Sequence, residues 1–112
     1  MNPYSIPGID AVDRIVKSVA KAYGITESAL FDGRRYRTHA EARMMIWLFA
    51  TRIGKMSQTK LSQMFRCSCP TVSLGISRVI GYAKFTRSTG EKLFIVGREL
   101  GVKDEIMKGW VK

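Results

Sequence analysis

Apolar residues recur along the chain at helical spacing. Val12, Ile15, Val16, Val19, Ala20 and Tyr23 fall at i, i+3, i+4, i+7, i+8 and i+11, one face of an amphipathic helix, with Arg14, Lys17 and Lys21 on the other face. Gly24 stands where a left-handed residue closes such a helix. Thr26 is placed to cap a short second helix with Glu27 in its first turn, where the helix dipole favours a carboxylate; Leu30 and Phe31 are expected to pack inward. Asp32-Gly33 breaks the pattern, and Arg34, Arg35 and Arg37 follow as a basic loop. Thr38 and Glu41 have capping-box spacing, and the apolar run from Met44 to Ala50 behind them predicts a central helix from Thr38 to about Ile53, ended by Gly54. Met44, Met45 and Trp47 read as core packing rather than a cofactor box.

Ser57 caps the next element, whose apolar face is Leu61, Met64 and Phe65. Ser68 caps a further helix running to about Ala83, with Pro70 in the first turn, where a missing N–H costs nothing. After Lys84 the signal weakens. Ser88 or Thr89 starts a helix containing Leu93, Phe94, Val96 and Leu100 and ended by Gly101, and Ile106, Trp110 and Val111 suggest a last helical turn. There is no strand alternation, repeat or low-complexity tract. The pattern therefore predicts an all-α bundle of about five to six helices. Residues 1–8, with Pro3, Pro7 and Gly8, are expected to be a flexible lead-in, residues 9–85 a helix-turn-helix domain, and residues 86–112 a helical extension packed on it.

The stretch from Gln58 to Ser77 has the residue types a helix-turn-helix needs. Leu61 and Ser62 supply an apolar and then a small residue where the two helices touch, Phe65 and Cys67 seal the turn, and Val72, Gly75, Ile76 and Val79 make the buried stripe of the second helix. Gly75 costs helix stability, and close approach of the two helices is its expected reason. Arg66 stands where a turn glycine is usual and must enter the left-handed region at some cost. On this register Ser68, Cys69, Pro70, Thr71, Ser73, Leu74 and Ser77 are exposed, and in this class of motif the N-terminal part of that helix enters the major groove. Hydroxyls can meet base edges or phosphates, but no Arg, Asn or Gln offers a bidentate base contact before Arg78. Phosphate contacts are expected to dominate, with modest base discrimination.

Charge strengthens this reading. The 112 residues include 19 Lys plus Arg against 9 Asp plus Glu, a formal net charge of +10. No Asp or Glu occurs between Glu41 and Glu91, a stretch holding Arg43, Arg52, Lys55, Lys60, Arg66, Arg78, Lys84 and Arg87. A long acid-free segment suits a polyanion, through phosphate neutralisation and counterion release. The expected DNA-binding set is Arg34, Arg35, Arg37, Arg43, Lys55, Lys60, Ser68, Cys69, Pro70, Thr71, Ser73 and Arg78. A disulfide between Cys67 and Cys69 would be strained, and two thiols with the single His39 make no zinc site, so both read as reduced thiols with no metal or cofactor. A lone His39 and no carboxylate pair on a shared face give acid–base catalysis no footing, so no enzyme is expected. Residues Met1 to Gly8 lack the charged and apolar regions of a signal peptide, and Met44 to Ala50 is too short to span a bilayer, which places the protein in the cytoplasm without a membrane partner. The absence of an aromatic stacking pattern favours duplex DNA over RNA. The alternative is a protein-interaction or assembly module that keeps the fold without sequence-specific DNA binding. Its docking segment, for a partner or for a homodimer, would be the apolar C-terminal part, Leu93 to Val96 with Trp110 and Val111, whose more ordinary role is to close the core.

From about Val12 to Ala83 the chain resembles the C-terminal DNA-binding domain of the bacterial replication initiator DnaA, whose fold is similar to that of the Trp repressor. The residues that carry the resemblance are Ile15-Val16-Lys17-Ser18-Val19-Ala20 with Tyr23-Gly24-Ile25, then Leu30, Arg34-Arg35-Tyr36-Arg37, Ala42-Arg43-Met44-Met45, Ser57, Leu61, Phe65 and Thr71-Val72. The resemblance implies that Arg34, Arg35 and Arg37 meet the minor groove and backbone, that Arg43 faces DNA at the start of the core helix, and that the recognition helix begins at Ser68. The family's Gly-Gly-Arg-Asp-His-Thr-Thr-Val signature is here the shorter Arg66-Cys67-Ser68-Cys69-Pro70-Thr71-Val72, so its base contacts do not carry over. No Walker-type segment is present. The resemblance thus implies a stand-alone relative, bacterial or phage-encoded and nucleoid-associated, acting in replication or transcription control.

Overall fold

Capping and turn residues set the ends of several helices. The computed structural model describes residues 7–31 and 37–111, with side chains from Val12 onward. Among them lie seven helices: α1 (Pro7–Tyr23), α2 (Glu27–Phe31), α3 (Arg37–Arg52), α4 (Gln58–Phe65), α5 (Cys69–Phe85), α6 (Arg87–Glu99) and α7 (Asp104–Trp110). The all-α class is as expected. The count exceeds the expected five to six because the final turn near Trp110 is a helix of its own.

α1 starts at Pro7, inside the stretch 1–8 expected to be a lead-in, and residues 1–6 lie outside the described residues. A proline at the first helical position has its φ already set and lacks only an N–H that no intrahelical carbonyl would accept. At the other end Gly24 takes φ +66°, its N–H donates to the Lys21 carbonyl (3.2 Å), and that of Ile25 donates to Ala20 (3.0 Å). α2 is capped as expected, Ala29 N–H donating to Thr26 Oγ1 at 3.3 Å. Leu30 is buried, whereas Phe31, expected inside, is 45% exposed and stacks on Phe65 with ring centroids 4.8 Å apart.

α3 begins at Arg37, which is therefore helical rather than part of a loop, and Thr38 is inside the helix rather than its N-cap. The expected capping box is not made. Glu41 instead accepts hydrogen bonds from the Tyr23 hydroxyl on α1 and from Thr89 Oγ1 on α6, the latter at 2.9 Å. Two hydroxyl donors from packed neighbours outweigh one local backbone N–H. α3 ends at Arg52, and the left-handed residue after it is Lys55 (φ 53°), not Gly54. Gly54 serves close approach, since a Cβ there would stand 2.8 Å from the Ala50 carbonyl oxygen.

α3 is the centre of the core. Ala42 and every residue from Met45 to Ala50 are buried, so this helix meets neighbours on nearly all sides. Each large side chain removed from water here contributes about 1.5–3 kcal/mol. α1, α2 and α5 pack around it, and α6 lies against both α5 and α1. α6 begins at Arg87, slightly before the expected Ser88 or Thr89, and Gly101 (φ +81°) follows its end. α7 seats Met107 beneath Gly97 and sets Trp110 edge-on to Phe49, centroids 5.3 Å apart, so the C-terminal residues close the core. No helix among the described residues is long and apolar enough to cross a membrane.

Candidate functional site

α4 and α5 form a tight pair whose ends are fixed locally. Lys60 N–H donates to Ser57 Oγ at 3.1 Å and Thr71 N–H to Ser68 Oγ at 3.3 Å, so both expected N-caps are made. Between them Arg66 adopts φ 54°, ψ 48°, and Cys67 N–H returns to the Ser62 carbonyl at 2.9 Å. A non-glycine residue in this conformation costs about 1–2 kcal/mol. The closing hydrogen bonds offset it and leave a guanidinium at the turn. Ser62 is buried where the helices meet, and its hydroxyl donates to the Thr59 carbonyl at 2.7 Å.

The buried stripe of α5 is Val72, Gly75, Ile76 and Val79, as the pattern predicts. The reason for Gly75 differs from the expected one. A Cβ at Gly75 would meet the Trp47 ring of α3 at 2.5 Å and Met44 at 3.0 Å, so the close approach is between α5 and α3, not between α4 and α5. Ser68, Pro70, Thr71, Ser73, Leu74, Ser77 and Arg78 are exposed along the opposite side. Cys69 is not. It is half-buried and turned toward α4, with Sγ 3.5 Å from Ser62 Oγ and 3.6 Å from Thr59 Oγ1. Thr71 Oγ1 shares a 2.7 Å hydrogen bond with Ser68 Oγ, which ties both hydroxyls to the cap.

Among the expected cationic contacts, Arg37, Lys55, Lys60 and Arg78 are exposed. Arg43 is half-buried, with Nη1 donating to the Leu30 carbonyl at 3.4 Å. Arg34 and Arg35 lie outside the described residues. The structure also brings together residues the sequence reading left apart. Arg43, Arg66 and Arg78 border one cleft of about 690 Å³ between α2, α3, α4 and α5, floored by Met44, Trp47 and Phe65. Cys67 lines it too; burial pushes its thiol up, Cys69 adds to this, and the charge of Arg43 pulls it back. Arg66 was missed as a site residue, although it stands in the acid-free run.

The remaining charges do different work. Lys17 pairs with Asp13 (3.1 Å), Lys21 with Glu99 (3.8 Å), Arg87 with Glu91 (3.1 Å) and Arg98 with Asp104 (2.9 Å), all on α1, α6 or the start of α7. Beside Glu41, a polar cavity of about 320 Å³ is edged by Arg37, Thr86, Ser88 and Lys92. Burial first, and then the hydrogen bond to Glu41, push the Tyr23 phenol well above its ordinary value.

Aromatic exposure also departs from expectation. Besides Phe31, Tyr82 and Phe85 are exposed, Phe85 to 85%. Both follow Arg78 at i+4 and i+7 on one face of α5, which runs past its expected end at Ala83. Among the described residues no cluster of His, Cys, Asp or Glu could hold a metal ion. Comparison of the chain with protein-family models, curated proteins and solved structures finds no match.

Proposed function

We propose that the protein binds double-stranded DNA in replication or transcription control, with α4 and α5 acting as a helix-turn-helix and the basic segment Arg34 to Arg37, together with Arg43, on the minor groove and backbone. The observation that carries this reading is one face of α5. It is exposed from its capped end at Ser68 to Arg78, and no Asp or Glu occurs between Glu41 and Glu91 to repel a phosphate. Lys55, just before the helix pair, and Lys60, on α4, are also exposed. Ser73 and Ser77 are the hydroxyls on this face for which no cap bond competes, and Leu74 offers an apolar surface to a thymine methyl. Such a set reads bases weakly, so most of the binding energy falls to phosphate contacts. The resemblance to initiator C-terminal domains supports the same assignment for the basic segment.

Fluorescence anisotropy with a random duplex at several salt concentrations tests the proposal. Binding should weaken steeply with salt, log K falling by about 0.9 per phosphate neutralised for each unit of log salt. A chain that shows no salt-sensitive binding at low ionic strength is not a DNA-binding protein.

A second reading, a protein-interaction module, is favoured by the exposed Tyr82, Phe85, Ile95 and Ile106, all away from the N-terminal end of α5. Unchanged duplex affinity in the double variant Arg35→Ala, Arg43→Ala would favour it.

A further inference from the structure

The C-terminal half of α5 carries two aromatic side chains that face away from the core. Tyr82 and Phe85 are 37% and 85% exposed, and Phe85 is the most exposed large apolar residue among those described. Val79, Ile80 and Ala83 beside them supply the inward contacts of this part of the helix. A lone exposed apolar residue is ordinary. Two rings three residues apart are neighbours on a helix surface, and here the backbone beneath them is held. Thr86 N–H donates to the Tyr82 carbonyl at 2.6 Å, and α6 sets off at once from Arg87. Gly90 lets α6 close on the end of α5, since a Cβ there would stand 2.9 Å from the Ala83 carbonyl oxygen.

Charge decides which partner suits the pair. The sequence of α5 contains no Asp or Glu from Cys69 to Phe85. Arg78, exposed, precedes Tyr82 by one turn. Lys84 Nζ lies 5.9 Å from the centroid of the Phe85 ring, within reach of a cation–π contact. Arg87 beyond them is engaged by Glu91 at 3.1 Å. The other exposed apolar residues of the C-terminal region, Ile95 and Ile106, are aliphatic and sit on helices that carry Glu91, Glu99, Asp104 and Glu105. Flat rings set among cations match an unpaired strand, whose bases stack on the rings while its phosphates meet the cations. Paired bases already cover one another's faces, so a duplex makes no use of such rings. An apolar protein surface would be served as well by aliphatic side chains, and better without the cations.

We infer that Tyr82 and Phe85 form a stacking platform for single-stranded DNA, with Arg78 and Lys84 on its phosphates. Tyr82 lies about 20 Å along the helix from Cys69, at 1.5 Å per residue, so the platform is separate from the capped end that the duplex reading sends into the major groove. It goes beyond that reading: one end of α5 holds paired DNA and the other holds a strand that has come unpaired.

The test uses the full chain and fluorescence anisotropy with four labelled probes: oligo-dT, an abasic strand of the same length and charge, oligo-rU and a fully paired hairpin. Oligo-dT should bind, and the abasic strand should bind about tenfold more weakly, because it keeps the phosphates and lacks the faces that stack. Phe85→Ala should weaken oligo-dT by about tenfold and leave the abasic strand and the hairpin unchanged. Tyr82→Ala should act in the same direction. Both positions are exposed, and thermal melting checks that each variant folds. Phe85→Trp should keep the affinity and add an emission that oligo-dT quenches and the abasic strand does not. The inference is overturned if the abasic strand binds as tightly as oligo-dT, or if oligo-rU binds more tightly than oligo-dT, the mark of an RNA site. It is overturned equally if Phe85→Ala leaves oligo-dT affinity intact, and loss of self-association in that variant would then assign the face to a second copy of the chain. Strand binding without hairpin affinity removes the duplex reading alone, whereas hairpin binding without any base-dependent strand binding removes this inference alone.

Discussion

The two sides of α3 handle charge in opposite ways. Toward α1 and α6, Glu41 is held by two hydroxyls, and carboxylates nearby pair with lysines and arginines on the same helices. Toward α4 and α5, the helix presents Arg43, Met44 and Trp47 to a cleft rimmed by further arginines, in a stretch of sequence that contains no acid. On the first side charge is paired, within a helix at Arg87 and Glu91 and between helices at Lys21 and Glu99. On the second, Arg66 and Arg78 are exposed at the cleft, and Arg43 reaches the Leu30 carbonyl. The formal charge of +10 is therefore less informative than its division, because an exposed cation is the kind that recognition can use.

The largest expected effect lies on the paired side. Glu41→Ala takes the acceptor from Tyr23 and Thr89 at once and should cost about 2–4 kcal/mol in urea unfolding, while the folded fraction keeps its duplex affinity. Equal losses of stability and affinity would break the division between the two sides. Next comes their shared boundary. Gly75→Ala drives a methyl into the Trp47 ring and should cost about 1–3 kcal/mol by overpacking, despite the gain in helix propensity of about 1 kcal/mol. A shift in Trp47 emission would accompany it.

The third test is a pH profile. The Tyr23 phenol is raised in the folded state, so its contribution is complete below the ordinary phenol value of 10.0 and is lost as pH climbs past it. Melting temperature should fall through that range in the parent chain and fall less in Tyr23→Phe. The smallest effect lies on the cationic side. Arg66→Gly relieves the left-handed backbone and should gain up to about 1 kcal/mol of stability, yet it should lower duplex affinity and reduce the salt slope by about 1. A variant that becomes more stable and binds less well would mark the turn as a functional compromise.

Features set by neighbours in sequence were legible; features set by distant neighbours were not. Ser57, Ser68 and Thr26 as caps, Gly24 as a helix terminator and Arg66 as a left-handed residue follow from short-range chemistry, and the structure has them all. The Thr38 to Glu41 spacing satisfies the same kind of local rule, but Tyr23 and Thr89, far off in the chain, compete for the carboxylate. Gly75 reads as a contact point from sequence, but nothing local tells that the approaching helix is α3 rather than α4. Phe31 was placed inside on its apolar character, and its stacking on Phe65 depends on how α2 lies over α4. The cleft could not be foreseen, since its walls come from helices whose order in space no periodicity records. Arg34 and Arg35, central to the reading of the basic loop, lie outside the described residues.

Met107 has no exposure to solvent and sits directly under Gly97, where even a methyl group would not fit. A sulfoxide is larger and more polar than a thioether, so the sulfur can be oxidised only in molecules whose last helix has lifted away. Under a fixed dose of peroxide, the accumulation of sulfoxide at Met107 becomes a clock. It counts how often α7 leaves its seat, and it separates the lifetime of that docking from the stability of the rest of the chain.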